Sequence, residues 1–292
     1  MNFKKYNRLL GFFTGFCAFI VYSLTVEPTA SYWDCAEYIS TSAKLQIGHP
    51  PGAPLFQMLG AVFAILAIEN TQIAYAINMM SVTSSALTIV FMFWSVSLLS
   101  KKILKVKNEI SSEESFKIFG AAFLTTFTFM FTDSFWFNAV EAEVYAMATL
   151  ILSVLFWLAL KWEQEMNTEY GDRWLLMISF VIGLSFGVHF MGLLTIPAIG
   201  MIYFFKNTEK ITFKNFLLSN LISVAILLFI FKLLLPSTLA IFGEVEVYFV
   251  NNLNLPFNSG TIFTGVIILL FFYYGLKYTS QKNWVNINTS IL

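Results

Sequence analysis

Two acidic residues that could do proton chemistry, Asp34 and Glu37, lie three positions apart just after the first long apolar run of the chain. On a helix this spacing places both side chains on one face. Ser31, three positions before Asp34, is a candidate cap for the N-terminus of that helix. The neighbouring Trp33 and Tyr38 are typical of a membrane interface, where partial desolvation raises the pKa of a carboxyl group and suits it to general base catalysis. The alternative interpretation is that both carboxylates simply face water at the start of a helix.

A proline-rich segment at residues 49–54 could bring a histidine beside these carboxylates. It contains three prolines, which favour a stiff and extended chain, and it begins with His49, one of only two histidines. A rigid segment that presents His49 next to two carboxylates would form a catalytic or phosphate-binding corner. The alternative is a turn at the start of the next helix that carries an incidental histidine.

Four further ionisable residues are candidates for substrate binding. Glu141 and Glu143 lie at the end of an apolar run, and the alternative for them is a pair of interface charges at a helix N-terminus. His189 and Lys232 lie at or near membrane depth, where an ionisable residue is a candidate functional group. The alternatives are a histidine that bonds to a neighbouring helix and a lysine that extends outward to the interface.

The composition indicates that membrane-spanning helices hold these residues. Hydrophobic residues make up 58% and charged residues 12% of the 292, against about 45–50% and about 25% in soluble domains, which excludes a soluble globular protein. Apolar runs lie at residues 9–26, 54–68, 73–100, 116–131, 145–160, 174–205, 216–235 and 261–276. A spanning helix needs about 20 residues. Run 54–68 is too short and predicts an interfacial or re-entrant helix, while run 174–205 is long enough for two short helices with a turn between Gly187 and Pro197.

The distribution of charge gives this all-α bundle of about eight transmembrane helices a direction. If run 54–68 does not cross, all basic residues except Lys44 and Lys232 lie on the side of the N-terminus, which the positive-inside rule assigns to the cytoplasm. The opposite side receives the loops at residues 27–72, 132–144 and 236–260, which carry nine of the 17 acidic residues. The candidate site residues therefore gather on the non-cytoplasmic side.

The domain prediction is one transmembrane domain at residues 1–282, with a first extracytoplasmic loop at 27–72, followed by a polar tail at 283–292. The basic start and long first apolar run predict an uncleaved first helix. Cys17 lies in that run and Cys35 in the loop after it, so both are expected to be free thiols. Motifs of soluble enzymes are absent from the sequence, and its dispersed basic residues give no support for nucleic acid binding.

An ordered set of motifs resembles glycosyltransferase family 117, a family of membrane protein O-mannosyltransferases with bacterial members. The similarity covers these segments: Asp34-Cys35-Ala36-Glu37, then His49-Pro50-Pro51-Gly52-Ala53-Pro54-Leu55-Phe56, then Trp136 with Glu141-Ala142-Glu143-Val144-Tyr145, and finally Gly183-Leu184 with His189. Members of the family are longer, so a fragment or a divergent short form is expected here.

The resemblance implies a GT-C fold and an inverting transfer of a sugar, mannose in the family, from a polyprenyl-phosphate carrier to a hydroxyl group, expected to be a protein Ser or Thr. It implies that Asp34 is the catalytic base, that Glu37 and His49 position acceptor or sugar, and that Glu141 or Glu143 contacts sugar hydroxyls. The expected partners are membrane lipid, a lipid-linked sugar donor and a protein acceptor. The expected location is a bacterial inner membrane, with the active site on its extracytoplasmic side.

The leaving phosphate of such a reaction needs positive charge, and the predicted outer side has no arginine. Its cations are Lys44, Lys232 and the two histidines, with a divalent metal as another source, and no other cofactor is expected. Two alternative functions remain open at this point. A transporter or lipid flippase would carry ionisable residues near the middle of its helices, and a non-catalytic assembly subunit would fit a true short form.

Overall fold

The computed structural model describes residues 2–106, 110–169 and 171–282, and within these ranges the chain is helical without any strand. The α-helices are α1 Phe3–Thr25, α2 Cys35–Lys44, α3 Pro54–Ala64, α4 Ile73–Ile103, α5 Ser112–Met130, α6 Asp133–Ala139, α7 Val144–Glu165, α8 Gly171–Ser185, α9 Thr195–Asn207, α10 Phe213–Phe229, α11 Leu235–Asn251 and α12 Ser259–Gln281. Short 3₁₀ turns lie at Asn70–Gln72 and Phe190–Leu194, and a π-helical segment lies at Ile230–Leu234. The predicted tail at 283–292 lies outside the described residues.

Six helical segments in the described part of the chain are long and apolar enough to cross a membrane: Phe3–Thr25, Asn70–Ile103, Val144–Glu165, Phe190–Asn207, Phe213–Asn251 and Ser259–Gln281. A seventh is possible if α5 and α6, which are bent by 69° at a short break, form one span. The all-α membrane class is confirmed, and the described residues contain six or seven candidate spans where about eight were expected. The difference arises at α5, which qualifies only together with α6, and at α8, whose 15 residues are too few.

The chain divides into two compact units. The first comprises residues 1–167 and 177–195, and the second comprises 168–176 and 196–292. In the first unit, α4 packs against α1, α5 and α7. Small buried side chains on α4, among them Ser81, Ser85 and Ala86, allow the neighbouring backbones to approach closely. The hydroxyl of Tyr22 on α1 donates to the carbonyl of Met130 on α5 over 2.7 Å and ties these two helices together.

One end of this first unit is rich in lysine, and the acidic candidate site residues lie at the other end. At one end, the ammonium of Lys101 lies 5.1 Å from the centre of the Phe3 ring, and Lys102 pairs with Glu163 at 2.7 Å. These contacts join the start of α1 to the last turns of α4 and α7. The acidic segments follow the end of α1 and precede α7, so they lie at the other end. The predicted accumulation of lysine away from the candidate site residues is therefore present in the first unit.

The long loop at residues 27–72 contains α2 and α3, which pack against each other and against α4. Helix α3 has only 11 residues, which is too short to cross a bilayer, as its apolar run predicts. Gly60 on α3 faces α2 so closely that an added Cβ would lie 2.6 Å from the Ser42 hydroxyl. The segment between α2 and α3 carries His49 back to the start of α2, which is where the candidate site forms.

The second unit corrects the prediction of an outer loop at 236–260. A continuous helical segment covers Phe213–Asn251 and includes a π-helical segment just before Pro236. Proline usually interrupts a helix because it lacks an N–H group. Here Pro236 lies in the first turn of α11, directly after the π-helical segment, where the missing N–H is tolerated. Only the residues between α11 and α12 form a loop, and there Glu246 accepts hydrogen bonds from the N–H groups of Asn258 and Thr261 at 2.6 and 2.8 Å.

Candidate active site

Asp34, Glu37 and His49 come together at the start of α2. The Nδ1 atom of His49 lies 3.1 Å from Glu37 Oε2, and its Nε2 atom lies 3.8 Å from Asp34 Oδ2. The His49 backbone N–H also donates to Glu37 Oε1 at 2.6 Å. Asp34 is the residue before α2 and Glu37 lies in its first turn, and both carboxylates face the His49 ring, as their spacing predicts.

His49 is placed by its own segment and by the ring of Tyr38. The N–H of Gly52 donates to the His49 carbonyl at 2.8 Å and closes a turn, in which Gly52 has a φ of 79°. The Tyr38 ring lies 6.2 Å from the imidazole and 5.2 Å from the ring of Phe56 on α3. The two hydrogen bonds from His49, first from its backbone and then from its ring, lower the pKa of Glu37. The ionised form of Glu37 is therefore the stable partner of His49.

The segment before α7 supplies a second pair of acids. Glu141 and Glu143 are almost completely buried, at 3% and 5% exposure. The Ser31 hydroxyl donates to Glu141 Oε2, and the backbone N–H of Asp34 donates to Glu143 Oε1 at 3.1 Å. The prediction that Ser31 caps α2 is therefore wrong, because its hydroxyl is used in this tertiary contact.

Burial changes the protonation chemistry of both glutamates. It raises the pKa of Glu141, against the opposing effect of the Ser31 hydrogen bond. It also raises the pKa of Glu143 to about 7, with further contributions from the negative charges of Asp34 and Glu141. A carboxyl group that titrates near neutral pH can hold or release a proton under physiological conditions. Glu143, which accepts the hydrogen bond of the Asp34 N–H, is thus able to exchange a proton near neutral pH.

A cavity of about 430 Å³ opens on the side of Asp34 that faces these glutamates. Its lining combines carboxylates, one amide and three aromatic rings: Trp33, Asp34, Phe137, Asn138, Glu141, Glu143 and Tyr145. The volume lies within the range of about 300–1,000 Å³ that is usual for ligand pockets. Asp34 therefore stands between the imidazole of His49 and a cavity large enough for a small polar substrate.

An apolar groove of about 250 Å³ lies in the same unit. It is lined mainly by side chains of α3, α4, α7 and α8: Leu55, Leu59, Phe63, Met80, Thr83, Ser84, Met147, Leu150, Ile151, Val181 and Leu184. Helix α3 starts five residues after His49, and α7 starts directly after Glu143. Two of the helices that border the groove therefore begin at the candidate site.

The two remaining predicted residues, His189 and Lys232, are not among the residues that line the cavity. His189 lies at the predicted turn, where its Nδ1 accepts from the Met191 N–H at 3.2 Å, and its ring lies 5.5 Å from that of Tyr145. It adjoins the cavity lining without being part of it. Lys232 belongs to the second unit, in the π-helical segment within a long helix rather than near its outer end, and its ammonium lies 5.3 Å from the centre of the Phe231 ring.

Sequence reasoning missed several residues that build the site. Asn78 on α4 donates to the carbonyls of Glu27 and Thr29 at 2.6 and 2.8 Å and fixes the start of the loop. Phe137 and Asn138 line the cavity from α6, a helix in what was predicted to be an outer loop. A buried asparagine within an apolar run is a signal that could have identified Asn78, whereas nothing local marks the other two.

The site contains one group of side chains that could hold a cation. Asp34, Glu37 and His49 each offer a ligand atom, and these atoms lie within 4.8 Å of one another. Among the described residues, His49 is the only basic side chain within 4.0 Å of Asp34 or Glu37. Oxygen and imidazole ligands suit divalent ions such as Mn²⁺ or Zn²⁺. The side chains are 36–55% exposed, so any ion would be accessible to solvent and substrate.

The fold and this site define a multi-pass α-helical membrane protein with an acidic, aromatic-lined cavity at one end of its first unit. Residues 34–212 match the model of the family described as "Protein O-mannosyl-transferase TMEM260 N-terminal domain". This match covers more than half of the chain, and the chain therefore belongs to that family. The resemblance predicted from the motifs is confirmed.

Curated relatives carry the same family name. The chain is 26% identical to "Protein O-mannosyl-transferase tmem260" of Dictyostelium discoideum over 70% of its own length and 24% of the relative. It is 24% identical to "Protein O-mannosyl-transferase TMEM260" of Mus musculus over 56% of its length and 21% of the relative. The chain thus spans about a quarter of the length of these relatives. No solved structure matches it significantly.

Proposed function

We propose that this chain carries the sugar-transfer site of an inverting glycosyltransferase that moves mannose from a polyprenyl-phosphate carrier to a Ser or Thr hydroxyl of a protein. The observation that carries the proposal is the position of Asp34 between His49 and the cavity with Glu141 and Glu143. The names of the relatives support mannosyl transfer to protein. The carrier, the membrane face and the roles of the residues are our inference from the site.

In the proposed reaction Asp34 acts as the general base. Its carboxylate takes the proton of the acceptor hydroxyl while the hydroxyl oxygen forms a bond to the anomeric carbon of the sugar. The bond from that carbon to the phosphate oxygen breaks, and its electron pair leaves with the polyprenyl phosphate. The displacement inverts the anomeric centre and requires no covalent intermediate. General base catalysis of this kind contributes about 100- to 10,000-fold to a rate.

The apolar groove supports a lipid carrier for the donor. Its lining is almost entirely hydrocarbon, and it lies along helices that begin at the site. Ile151 on α7 lies eight residues after Glu143, which corresponds to about 12 Å along a helix. An isoprenoid chain in this groove would bury apolar surface while its sugar reaches the cavity. His49 and Glu37 would orient the acceptor on the other side of Asp34.

A divalent cation is a second way to activate the acceptor. Bound by Asp34, Glu37 and His49, it would lower the pKa of an acceptor hydroxyl that it coordinates. The two versions predict different responses to a chelator. Activity that survives EDTA identifies Asp34 as a base acting alone, and activity that is lost with EDTA and restored by Mn²⁺ identifies a metal-assisted base.

We further propose that the acidic end of the first unit faces the extracytoplasmic side of a bacterial inner membrane. The accumulation of lysine at the opposite end supports this orientation. A transporter is less well supported, because no ionisable side chain lies in the middle of the described spans of the first unit. Lys232 in the second unit, near the middle of the Phe213–Asn251 segment, is the charge among the described residues that would favour transport.

The test measures transfer from radiolabelled polyprenyl-phosphate mannose to a Ser/Thr peptide in membranes that contain the full chain. Asp34→Asn should reduce the rate at least about 100-fold without reducing the amount of inserted protein. Asp133→Asn changes an exposed aspartate at the start of α6 and serves as the matched control with normal activity. Undiminished transfer by Asp34→Asn would exclude this residue as the base. A wild-type chain without any transfer would favour the non-catalytic alternative.

A further inference from the structure

The backbone of Trp33 has an unusual conformation directly beside Asp34. Its φ is 60°, which lies in the left-handed region that bulky residues rarely adopt. Such conformations are costly and persist only where the surrounding structure determines them, most often at functional sites. The indole is 86% exposed although it is one of the largest apolar side chains of the chain. Neither local sequence preference nor burial explains the position of this ring.

Two tertiary hydrogen bonds account for the conformation. On one side of Trp33, the Ser31 hydroxyl donates to Glu141, and on the other, the Asp34 N–H donates to Glu143. Both acceptors belong to the same short segment before α7. The turn at residues 31–34 is therefore attached at both ends to that segment, and the residue between the attachments is turned outward. This arrangement places the indole on the wall of the 430 Å³ cavity.

The cavity has the chemistry of a sugar site. The exposed rings of Trp33, Phe137 and Tyr145 form apolar surface, against which the C–H face of a pyranose can pack. Glu141 and Glu143 supply carboxyl oxygens that can accept hydrogen bonds from hydroxyl groups. Few polar groups placed among aromatic side chains are typical of small-molecule sites.

The charge of the cavity limits which sugars it can accept. Three carboxyl groups border it, from Asp34, Glu141 and Glu143, and its lining contains no lysine or arginine. A neutral hexose donates its hydroxyl groups to these oxygens. A uronic acid would place another negative charge beside them, and like charges repel more strongly in a partly desolvated site than in water.

We propose that the cavity between the 31–34 turn and the Glu141–Glu143 segment binds the transferred sugar as a neutral hexose packed on Trp33, and that its carboxylates exclude acidic sugars. This proposal rests on the proposed function for the statement that the bound sugar is the one transferred. The binding site and its charge preference depend only on the cavity. They can therefore be tested without any transfer reaction.

The first experiment measures binding of methyl α-mannoside to the purified full chain in detergent micelles by saturation-transfer NMR. Trp33→Ala should weaken binding about tenfold, the scale expected for loss of one aromatic contact surface. Trp33→Phe should give an intermediate affinity. Tyr32→Ala removes an adjacent ring that is also 81% exposed but does not line the cavity, and it should bind as the wild type does.

The second experiment compares this ligand with the methyl glycoside of mannuronic acid, which differs by one carboxylate. The wild type should bind the acidic sugar at least tenfold more weakly, and Glu141→Gln should reduce that difference. Equal binding of the two sugars by the wild type overturns the proposal. Equal affinity of wild type and Trp33→Ala, or no binding of the mannoside to wild type, also overturns it.

The outcomes separate this proposal from the proposed function. Binding of the neutral sugar through Trp33 without any transfer supports the site and removes the transferase function. Transfer that continues in a chain whose cavity binds no sugar keeps the function and removes the site. If Trp33→Ala elutes as aggregate, Trp33→Phe and the comparison of the two sugars in the wild type decide the question.

Discussion

Replacement of Glu143 by glutamine should remove a pH dependence of stability that the structure builds into the site. Glu143 is only 5% exposed and lies next to Asp34 and Glu141. Burial and these negative charges raise its pKa from 4.5 to about 7. Glutamine has nearly the same shape and retains an oxygen that can accept the hydrogen bond from the Asp34 N–H. The variant therefore removes the ionisation while it preserves the main contact.

The direction of this pH dependence follows from comparing how the folded and the unfolded chain bind the Glu143 proton. Between pH 4.5 and pH 7 the folded chain keeps the Glu143 proton, which the unfolded chain releases. The folded state is thus favoured most at low pH, and this advantage is lost as the pH rises through 7. The difference between the two pKa values, at about 1.4 kcal/mol for each pH unit, corresponds to about 3 kcal/mol. Water in the adjoining cavity screens part of it, so we expect about 1–3 kcal/mol.

The assay is chemical unfolding in mixed detergent micelles, followed by intrinsic fluorescence between pH 5 and pH 8. Wild type should lose about 1–3 kcal/mol of unfolding free energy across this range relative to Glu143→Gln, and the two proteins should converge near pH 5. Glu69→Gln alters an exposed carboxylate of the 27–72 loop and should follow the wild type. Identical pH profiles for wild type and Glu143→Gln would refute the argument that burial determines the titration of this group.

Three further predictions concern the packing of the helices and the orientation of the chain in the membrane. Gly187→Ala should lower the unfolding free energy by about 1–3 kcal/mol, measured in the same assay, because the added Cβ would lie 2.6 Å from that of Leu55 on α3. A membrane-impermeant maleimide should label Ala30→Cys in intact cells but Lys105→Cys only after permeabilisation, and the reverse pattern would contradict the proposed orientation. Glu246→Ala should increase hydrogen exchange of the first turn of α12, because it removes the acceptor for N–H groups there; unchanged exchange would show that water replaces it.

Much of the helical framework could be predicted because hydrophobic length and charge position act locally. The short run at 54–68 could be identified as non-spanning by its length alone, and α3 has 11 residues. The continuation of the long helix through Pro236 could not be predicted, because a proline followed by Ser237 and Thr238 usually indicates a turn or loop. A change of helical pitch at Ile230–Leu234 lets the helix continue there. Such a change leaves no clear pattern in the sequence.

The sequence allowed the residues of the site to be predicted better than the contacts between them. Asp34, Glu37 and His49 could be grouped because a histidine on a stiff proline-rich segment follows two closely spaced acids. The role of Ser31 could not, since a serine before an acidic residue fits a helix cap equally well. Its actual partner, Glu141, lies 110 positions away in the chain. A contact of this kind depends on how α2, α6 and α7 pack.

The sequence alone determined that the chain is an all-α membrane protein, that most of its basic residues lie on the side opposite to the candidate site residues, and that Asp34 is a candidate base. These properties follow from hydrophobicity, charge and spacing, which act within a segment or along the membrane normal. Only the tertiary structure decided that Glu143 is buried beside Asp34, that Trp33 is turned outward, and that these groups enclose a cavity. Burial, pKa and backbone strain depend on neighbours that are distant in sequence, so packing of the helices has to bring them together first.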